Sequence, residues 1–145
     1  MKDCYIFDID GTLADTAHRQ HFLQETPKNW DAFFAACVDD PPIEHVCEVA
    51  RAIMGSGKIV IFVSGRSDQI RDDTLAFLQE YVGPGPLYMR KAGDYRADHI
   101  VKGELLDQII ADGYNPVVAF DDRNQTVKMW RARGIPCFQV AEGDF

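Results

Sequence analysis

The chain has 145 residues, of which 46% are apolar and 26% charged, the mix of an ordinary globular domain and not of a disordered segment. A chain of this length buries roughly two-thirds of its unfolded surface, enough for a core without metal or disulfide staples. Its 23 acidic residues outnumber 15 basic ones, for a net charge of −8, which argues against wrapping a duplex through many basic contacts to phosphate but not against gripping one phosphorylated end.

Met1-Lys2-Asp3 leads directly into an apolar run with no signal-peptide pattern. Residues 4–9 form the first expected strand. Residues 17–42 follow as a helical insertion, in which Asn29 is placed to cap a short helix bearing Trp30, Phe33, Phe34 and Cys37. Val46, Val49, Ala50, Ile53 and Met54 then recur at helix spacing before Gly55, and residues 59–63 make a second strand. Ile70, Thr74, Leu75, Leu78 and Val82 mark the next helix, stopped by Gly83-Pro84-Gly85-Pro86. Residues 87–89, 117–120 and 137–140 read as three further strands, separated by stripes at Val101, Leu105, Ile109 and Ile110 and at Val127 and Trp130. Strands alternating with helices predict an α/β, doubly wound, mostly parallel five-stranded sheet with right-handed crossovers. The whole of 1–145 reads as one domain with a small cap insertion at about 17–42. Cys4, Cys37, Cys47 and Cys137 contain no C-x-x-C pair and are expected as buried, reduced thiols. No run is long enough to span a membrane, and the reading is a soluble, cytoplasmic protein.

In such sheets ligands bind off the carboxyl ends of the strands. The first strand runs into Asp8-Ile9-Asp10-Gly11-Thr12-Leu13. Two residues apart on a strand, Asp8 and Asp10 are expected to project together, with one pKa pushed up unless a cation intervenes. A strand ending in an Asx turn at Asp10-Gly11 is the plainer reading of that segment alone. The fourth strand ends in Asp121-Asp122, of which Asp122 could simply cap the next helix. Two acidic pairs at the ends of neighbouring strands instead suit Mg²⁺ held by oxygen ligands. Ser64-Gly65-Arg66-Ser67 follows the second strand and places a hydroxyl, a glycine and a guanidinium at an expected helix N-terminus, where an anion is favoured. Asp98 and Lys102 lie one turn apart, which alone reads equally as a surface salt bridge.

The order D-x-D-G-T-L, then Ser64, Lys102 and a late D-D resembles the phosphatases of the haloacid dehalogenase (HAD) superfamily, whose sheet is Rossmann-like. A closer likeness is to the 3′-phosphatase domains of bacteriophage polynucleotide kinase–phosphatases. It is carried by Asp8 with Arg19 eleven residues later, Val63-Ser64-Gly65-Arg66, the stretch from Gly93 to Lys102, Asp121-Asp122-Arg123-Asn124-Gln125-Thr126-Val127, and Gly143-Asp144-Phe145. The resemblance implies a phosphomonoesterase acting through an aspartyl-phosphate, with Asp8 as nucleophile and Asp10 as acid–base partner. It implies Mg²⁺ held by Asp8, Asp10 (through its carbonyl), Asp121 and Asp122. Ser64, Gly65, Arg66, Lys102, Arg19 and Asp98 become the phosphate-binding set, with Asp98 orienting Lys102. The implied substrates are 3′-phosphorylated DNA or RNA ends, with a separate polynucleotide kinase or ligase as companion. A phosphatase for small metabolites or nucleotides shares the same chemistry, and a receiver-like module with a phosphorylatable aspartate is the non-catalytic alternative. Arg90, Lys91 and Arg96 read either as a rim that tracks a nucleic-acid backbone or as a solvated basic loop. Gly55-Ser56-Gly57-Lys58 fails as a P-loop, because Ile59 follows the lysine and Ala52 stands where the first glycine belongs; no kinase activity is expected.

Overall fold

The computed structural model describes all 145 residues. Five strands, β1 (Lys2–Phe7), β2 (Ile59–Ser67), β3 (Leu87–Arg90), β4 (Tyr114–Asp121) and β5 (Cys137–Gln139), form one sheet in the order β3-β2-β1-β4-β5, every neighbouring pair parallel. Helices α1 (Trp30–Ala35), α2 (Glu44–Gly55), α3 (Arg71–Tyr81), α4 (Asp98–Ala111) and α5 (Asn124–Ala132) complete the α/β, Rossmann-like architecture.

Side-chain alternation along the strands divides the core in two. Phe7 of β1 with Val60 and Phe62 of β2 meets α2 and α3 through Val46, Ala50, Phe77 and Leu78. Cys4 and Ile6 of β1 with Ile61 and Val63 of β2 meet α4 and α5 through Val101, Leu105, Ile109, Val127 and Trp130. The sheet is therefore covered on both faces, as its near-continuous apolar strands require. All four cysteines are buried and unpaired. No helix is long and apolar enough to cross a membrane.

The boundaries differ from the sequence reading where polar groups decide them. β1 stops at Phe7 and not at Ile9, because the Ile9 carbonyl accepts the amides of Thr12, Leu13 and Ala14 and turns the chain. β2 continues past Val63 to Ser67, which pairs with Arg90 across an irregularity in the ladder. The expected helix N-terminus at Ser64 is thus displaced: a 3₁₀ turn over Asp68–Ile70 precedes α3. β4 begins at Tyr114 and includes Pro116, tolerated where the register against β1 shifts between Cys4 and Tyr5. Helix faces also rotate slightly: Phe77 is buried in α3 while Leu75 is exposed, and Ile110 of α4 faces out.

Between β1 and α2 lie a 3₁₀ helix (Ala17–Leu23), α1 and a second 3₁₀ turn (Ala36–Asp39). Asn29 caps α1 as expected, its side chain accepting the Ala32 amide at 3.2 Å. Of the apolar residues Trp30, Phe33, Phe34 and Cys37, Phe33 and Cys37 are buried, whereas Trp30 is 48% exposed. The Gly55–Lys58 turn joins α2 to the amino end of β2, at the opposite edge of the sheet from Asp8.

Candidate active site

After β1 the chain runs toward β2 and β3 on one side, and it later returns to β4 and β5 on the other. The carboxyl ends of β1 and β4 therefore flank a topological switch point. Asp8 follows β1 there, its amide donating to the Phe120 carbonyl of β4 at 2.9 Å. Asp121 ends β4, and Asp122 begins the turn into α5. Ligand oxygens of Asp8, Asp121 and Asp122 all lie within 4.8 Å of one another, and all three residues are buried.

Gly11 makes this convergence sterically feasible. Its φ of +81° is open to glycine, and a Cβ there would lie 2.1 Å from Asp122 Oδ2. Thr12 Oγ1 donates to Asp8 Oδ2 at 2.9 Å. Asp121 Oδ1 accepts the amides of Asp122 and Arg123, and its Oδ2 accepts Trp130 Nε1 at 3.2 Å.

Lys102 projects from α4 into this cluster and is only 2% exposed. Its Nζ lies 2.7 Å from Asp8 Oδ1, 3.0 Å from Asp121 Oδ2 and 3.3 Å from Asp98 Oδ2. A surface salt bridge is thereby excluded for the Asp98–Lys102 pair. Asp98 accepts Thr126 Oγ1 at 2.7 Å, so it is tethered while it contacts the lysine. A Cβ on Gly65 would meet Asp98 Oδ1 at 2.3 Å, so any side chain there would displace the Asp98 carboxylate. Ser64, buried in β2, accepts the Arg66 amide at 3.0 Å.

The electrostatics follow from this crowding. Burial raises the Asp8 pKa well above the carboxylate range, reinforced by Asp121 and Asp122 and opposed by Lys102. Asp122 is pushed up to about 6, first by burial, with a hydrogen bond to Asp8 opposing and the Asp121 charge adding. Burial alone would lower Lys102, but Asp121, Asp8 and Asp98 outweigh it and hold the ammonium charged. Three clustered carboxylates against one ammonium leave a negative excess, and hard oxygen donors at this spacing suit a cation such as Mg²⁺.

Asp10 does not share that cluster, contrary to the expectation that it projects alongside Asp8. With β1 ended at Phe7, the two-residue period no longer applies, and the Asp10 side chain turns toward two arginines. Its Oδ1 accepts Arg66 Nε at 2.9 Å, Arg66 Nη2 at 2.7 Å and Arg19 Nη2 at 3.1 Å. Burial would raise its pKa, but Arg66 and Arg19 outweigh that and lower it. Of the Asp8–Asp10 pair it is Asp8 whose pKa rises. The Asp10 side chain is 33% exposed, and every hydrogen bond to its carboxylate falls on Oδ1.

Arg19 and Arg66 are themselves 0% and 3% exposed, held between Asp10 and a residue the sequence reading missed, Asp40. Asp40 Oδ1 accepts Arg19 Nε at 2.8 Å, and Oδ2 accepts Arg19 Nη2 at 2.9 Å and Arg66 Nη2 at 2.8 Å. His18 Nε2 lies 2.6 Å from Asp40 Oδ1, and Arg66 Nη1 also donates to Thr74. Arg19 and Arg66 thus belong to a buried frame that fixes Asp10 between them. The only available sequence signal for Asp40 was Asp39-Asp40-Pro41-Pro42, since a residue before proline is confined to extended backbone. On the rim, Arg90 donates to the Gly65, Asp94 and Arg96 carbonyls and Arg96 pairs with Asp94 and Glu104, so both are engaged in shaping their own loop.

Residues 2–145 match the family model of the polynucleotide kinase PNKP phosphatase domain. The chain is 35% identical to chains in two solved structures of a Pnkp1/Rnl/Hen1 complex, with TM-scores of 0.84 and 0.86. It is covered in full by those chains and spans 48% and 44% of them. It is 28% identical over 131 residues to a protein of Autographa californica nuclear polyhedrosis virus provisionally named a bifunctional polynucleotide kinase/RNA ligase, covering 89% of this chain but 18% of that one. The class C acid phosphatase of Bacillus anthracis shares the fold, at a TM-score of 0.70 and 15% identity over 98% of this chain and 66% of that one. The chain thus corresponds to under half the length of these Pnkp1 and viral relatives. It belongs to the family of polynucleotide kinase PNKP phosphatase domains, HAD-type phosphatases.

Proposed function

We propose that the chain is a Mg²⁺-dependent phosphomonoesterase that removes 3′-phosphates from DNA or RNA ends through an aspartyl-phosphate on Asp8. The observation that carries this reading is the meeting of Asp8, Asp121 and Asp122 around Lys102 at the switch point of the sheet.

Asp8, Asp121 and Asp122 would hold the cation, with the Asp10 carbonyl as a further donor. When bound, Mg²⁺ offsets the repulsion between a carboxylate nucleophile and a phosphate dianion. Asp8 attacks phosphorus, the bond from phosphorus to the ribose O3′ breaks, and Asp10 gives a proton to that oxygen. Water then attacks the aspartyl-phosphate, Asp10 takes its proton, and inorganic phosphate leaves with Asp8 restored. Arg19 and Arg66 keep Asp10 ionised at rest, the form the second half-reaction uses. The incoming phosphate charge favours the protonated form that the first half-reaction uses, on the Oδ2 that the arginines leave free. Lys102 and the Ser64 hydroxyl bind phosphoryl oxygens, and Asp98 orients Lys102.

Family membership supports a polynucleotide substrate, as does similarity to a chain that assembles with Rnl and Hen1. A separate kinase or ligase would supply the remaining steps of end repair. The engagement of Arg90 and Arg96 in their own loop favours the alternative of a small phosphate ester, since it removes two cations from the rim. Phosphate release from a 3′-phosphorylated oligonucleotide, its 5′-phosphorylated twin and a free nucleotide, each with and without Mg²⁺, separates the readings. The account predicts Mg²⁺-dependent release from the 3′-phosphorylated strand; preference for the free nucleotide overturns the polynucleotide assignment.

A further inference from the structure

Asp122 is a candidate metal ligand on a turn, and a turn holds a carboxylate in place only if its backbone is itself held. Part of the support is internal, from the Asp122 and Arg123 amides donating to Asp121 Oδ1. The rest comes from the end of β5 and the chain after it, which folds back over the turn. The Val140 amide donates to the Asp121 carbonyl at 3.1 Å, and the Asn124 amide donates to the Gly143 carbonyl at 2.9 Å. Gln139 Nε2 donates to the Asp122 carbonyl at 2.9 Å and to Asn124 Oδ1 at 2.6 Å. Arg123 Nε donates to the Phe145 carbonyl at 3.0 Å, and its guanidinium lies 5.1 Å from the centre of the Phe145 ring.

Gly143 is the point of closest approach. It is buried, and a Cβ on it would lie 1.7 Å from the Asp122 carbonyl oxygen, 2.6 Å from that carbon and 2.8 Å from Arg123 Cα. Its φ lies outside the left-handed region, so what glycine supplies here is space and not conformational freedom. All three atoms it would strike belong to the backbone, so no side chain can rotate out of the way. Any residue larger than glycine must push the Asp122–Arg123 turn away from the segment, and the Asp122 carboxylate moves with it.

We propose that Gly143, with Gln139, is a positioning element for the metal site: the segment after β5 is pressed against the Asp122 backbone and thereby sets the distance of the Asp122 carboxylate from Asp8 and Asp121. This rests on the functional reading above, in which those three carboxylates hold Mg²⁺. Neither residue reaches the reacting atoms, so the effect is on cation affinity. Groups that orient metal ligands change affinity by about 10- to 100-fold when removed.

The test is calorimetric titration of Mg²⁺ into the wild type, Gly143→Ala and Gln139→Ala, with thermal unfolding in chelator as the check on folding. Gly143→Ala is expected to bind Mg²⁺ about tenfold or more weakly, with lost activity regained at high Mg²⁺. Gln139→Ala, which inserts no atoms, is expected to shift affinity in the same direction by a smaller factor, and it decides the matter should Gly143→Ala fail to fold. Variants that fold and bind Mg²⁺ as the wild type does overturn this inference alone. A wild type that takes up no Mg²⁺ overturns the functional reading, and this inference with it.

Discussion

Replacing Lys102 with methionine keeps the length and packing of the stem while removing the only ammonium among Asp8, Asp98 and Asp121, contacts of 2.7, 3.3 and 3.0 Å. Breaking a buried ion pair from one side destabilises a protein by about 3–5 kcal/mol, because the partner charge stays buried without compensation. With an unfolding entropy of roughly 2.1 cal/mol/K per residue over 145 residues, that corresponds to a Tm lowered by about 10–16 °C. The deficit should depend on pH. Asp8 and Asp122 already have raised pKa values, and losing the ammonium raises them further. A carboxyl whose folded pKa exceeds its unfolded one leaves the folded state with more bound protons in that window, so stability falls as pH rises through it. Metal-free Lys102→Met should therefore lie further below the wild type at pH 7.5 than at pH 5. Thermal unfolding in chelator at the two pH values measures this. A variant within about 3 °C of the wild type at both, less than 1 kcal/mol on the same scale, refutes the buried ion cluster.

Asp8→Asn should abolish turnover while leaving the metal-free protein at least as stable at neutral pH, since it removes one of the mutually repelling carboxylates; retained phosphate release in steady-state assays dismisses Asp8 as nucleophile. Asp40→Asn leaves Arg19 and Arg66 buried without one of their counter-charges, and a loss of about 3–5 kcal/mol in urea unfolding is expected together with impaired catalysis; wild-type stability contradicts the frame described for Asp10. Asp122 must lose its proton to accept a cation, and its pKa of about 6 lies above the unfolded carboxylate value. Without metal its contribution to stability declines between about pH 4 and 6. The rise in Tm on adding Mg²⁺ should accordingly be present at pH 7.5 and fade as pH falls through about 6, and an equal rise at pH 5 contradicts the assignment.

The alternation of strands and helices carries the sheet, and the strand ends carry Asp8, Asp121 and Asp122, because a parallel sheet brings the carboxyl ends of its strands to one edge wherever they fall in the chain. Asp98 and Lys102 show the limit of spacing rules. Four residues apart on a helix, they would look the same on a solvated surface, and only the docking of α4 against β2 and β4 buries the lysine. Asp10 was misplaced because a period of two holds only while the strand lasts, and the Ile9 carbonyl ends it by collecting three amides. Asp40 and His18 lie 30 and 8 residues from Asp10 in sequence with no periodic relation to it. Asp40 meets Arg19 and Arg66, and His18 meets Asp40, only because the segment between β1 and α2 folds back over the site.

The central claim is that Asp8 accepts the phosphoryl group. A single-turnover reaction with an oligonucleotide bearing a radiolabelled 3′-phosphate, quenched in acid, tests it directly. The account predicts transient label on the protein in a hydroxylamine-sensitive acyl linkage that maps to Asp8, absent from Asp8→Asn and persistent in Asp10→Asn. Phosphate released at full rate with no labelled protein at any time, or label on a side chain other than Asp8, contradicts it.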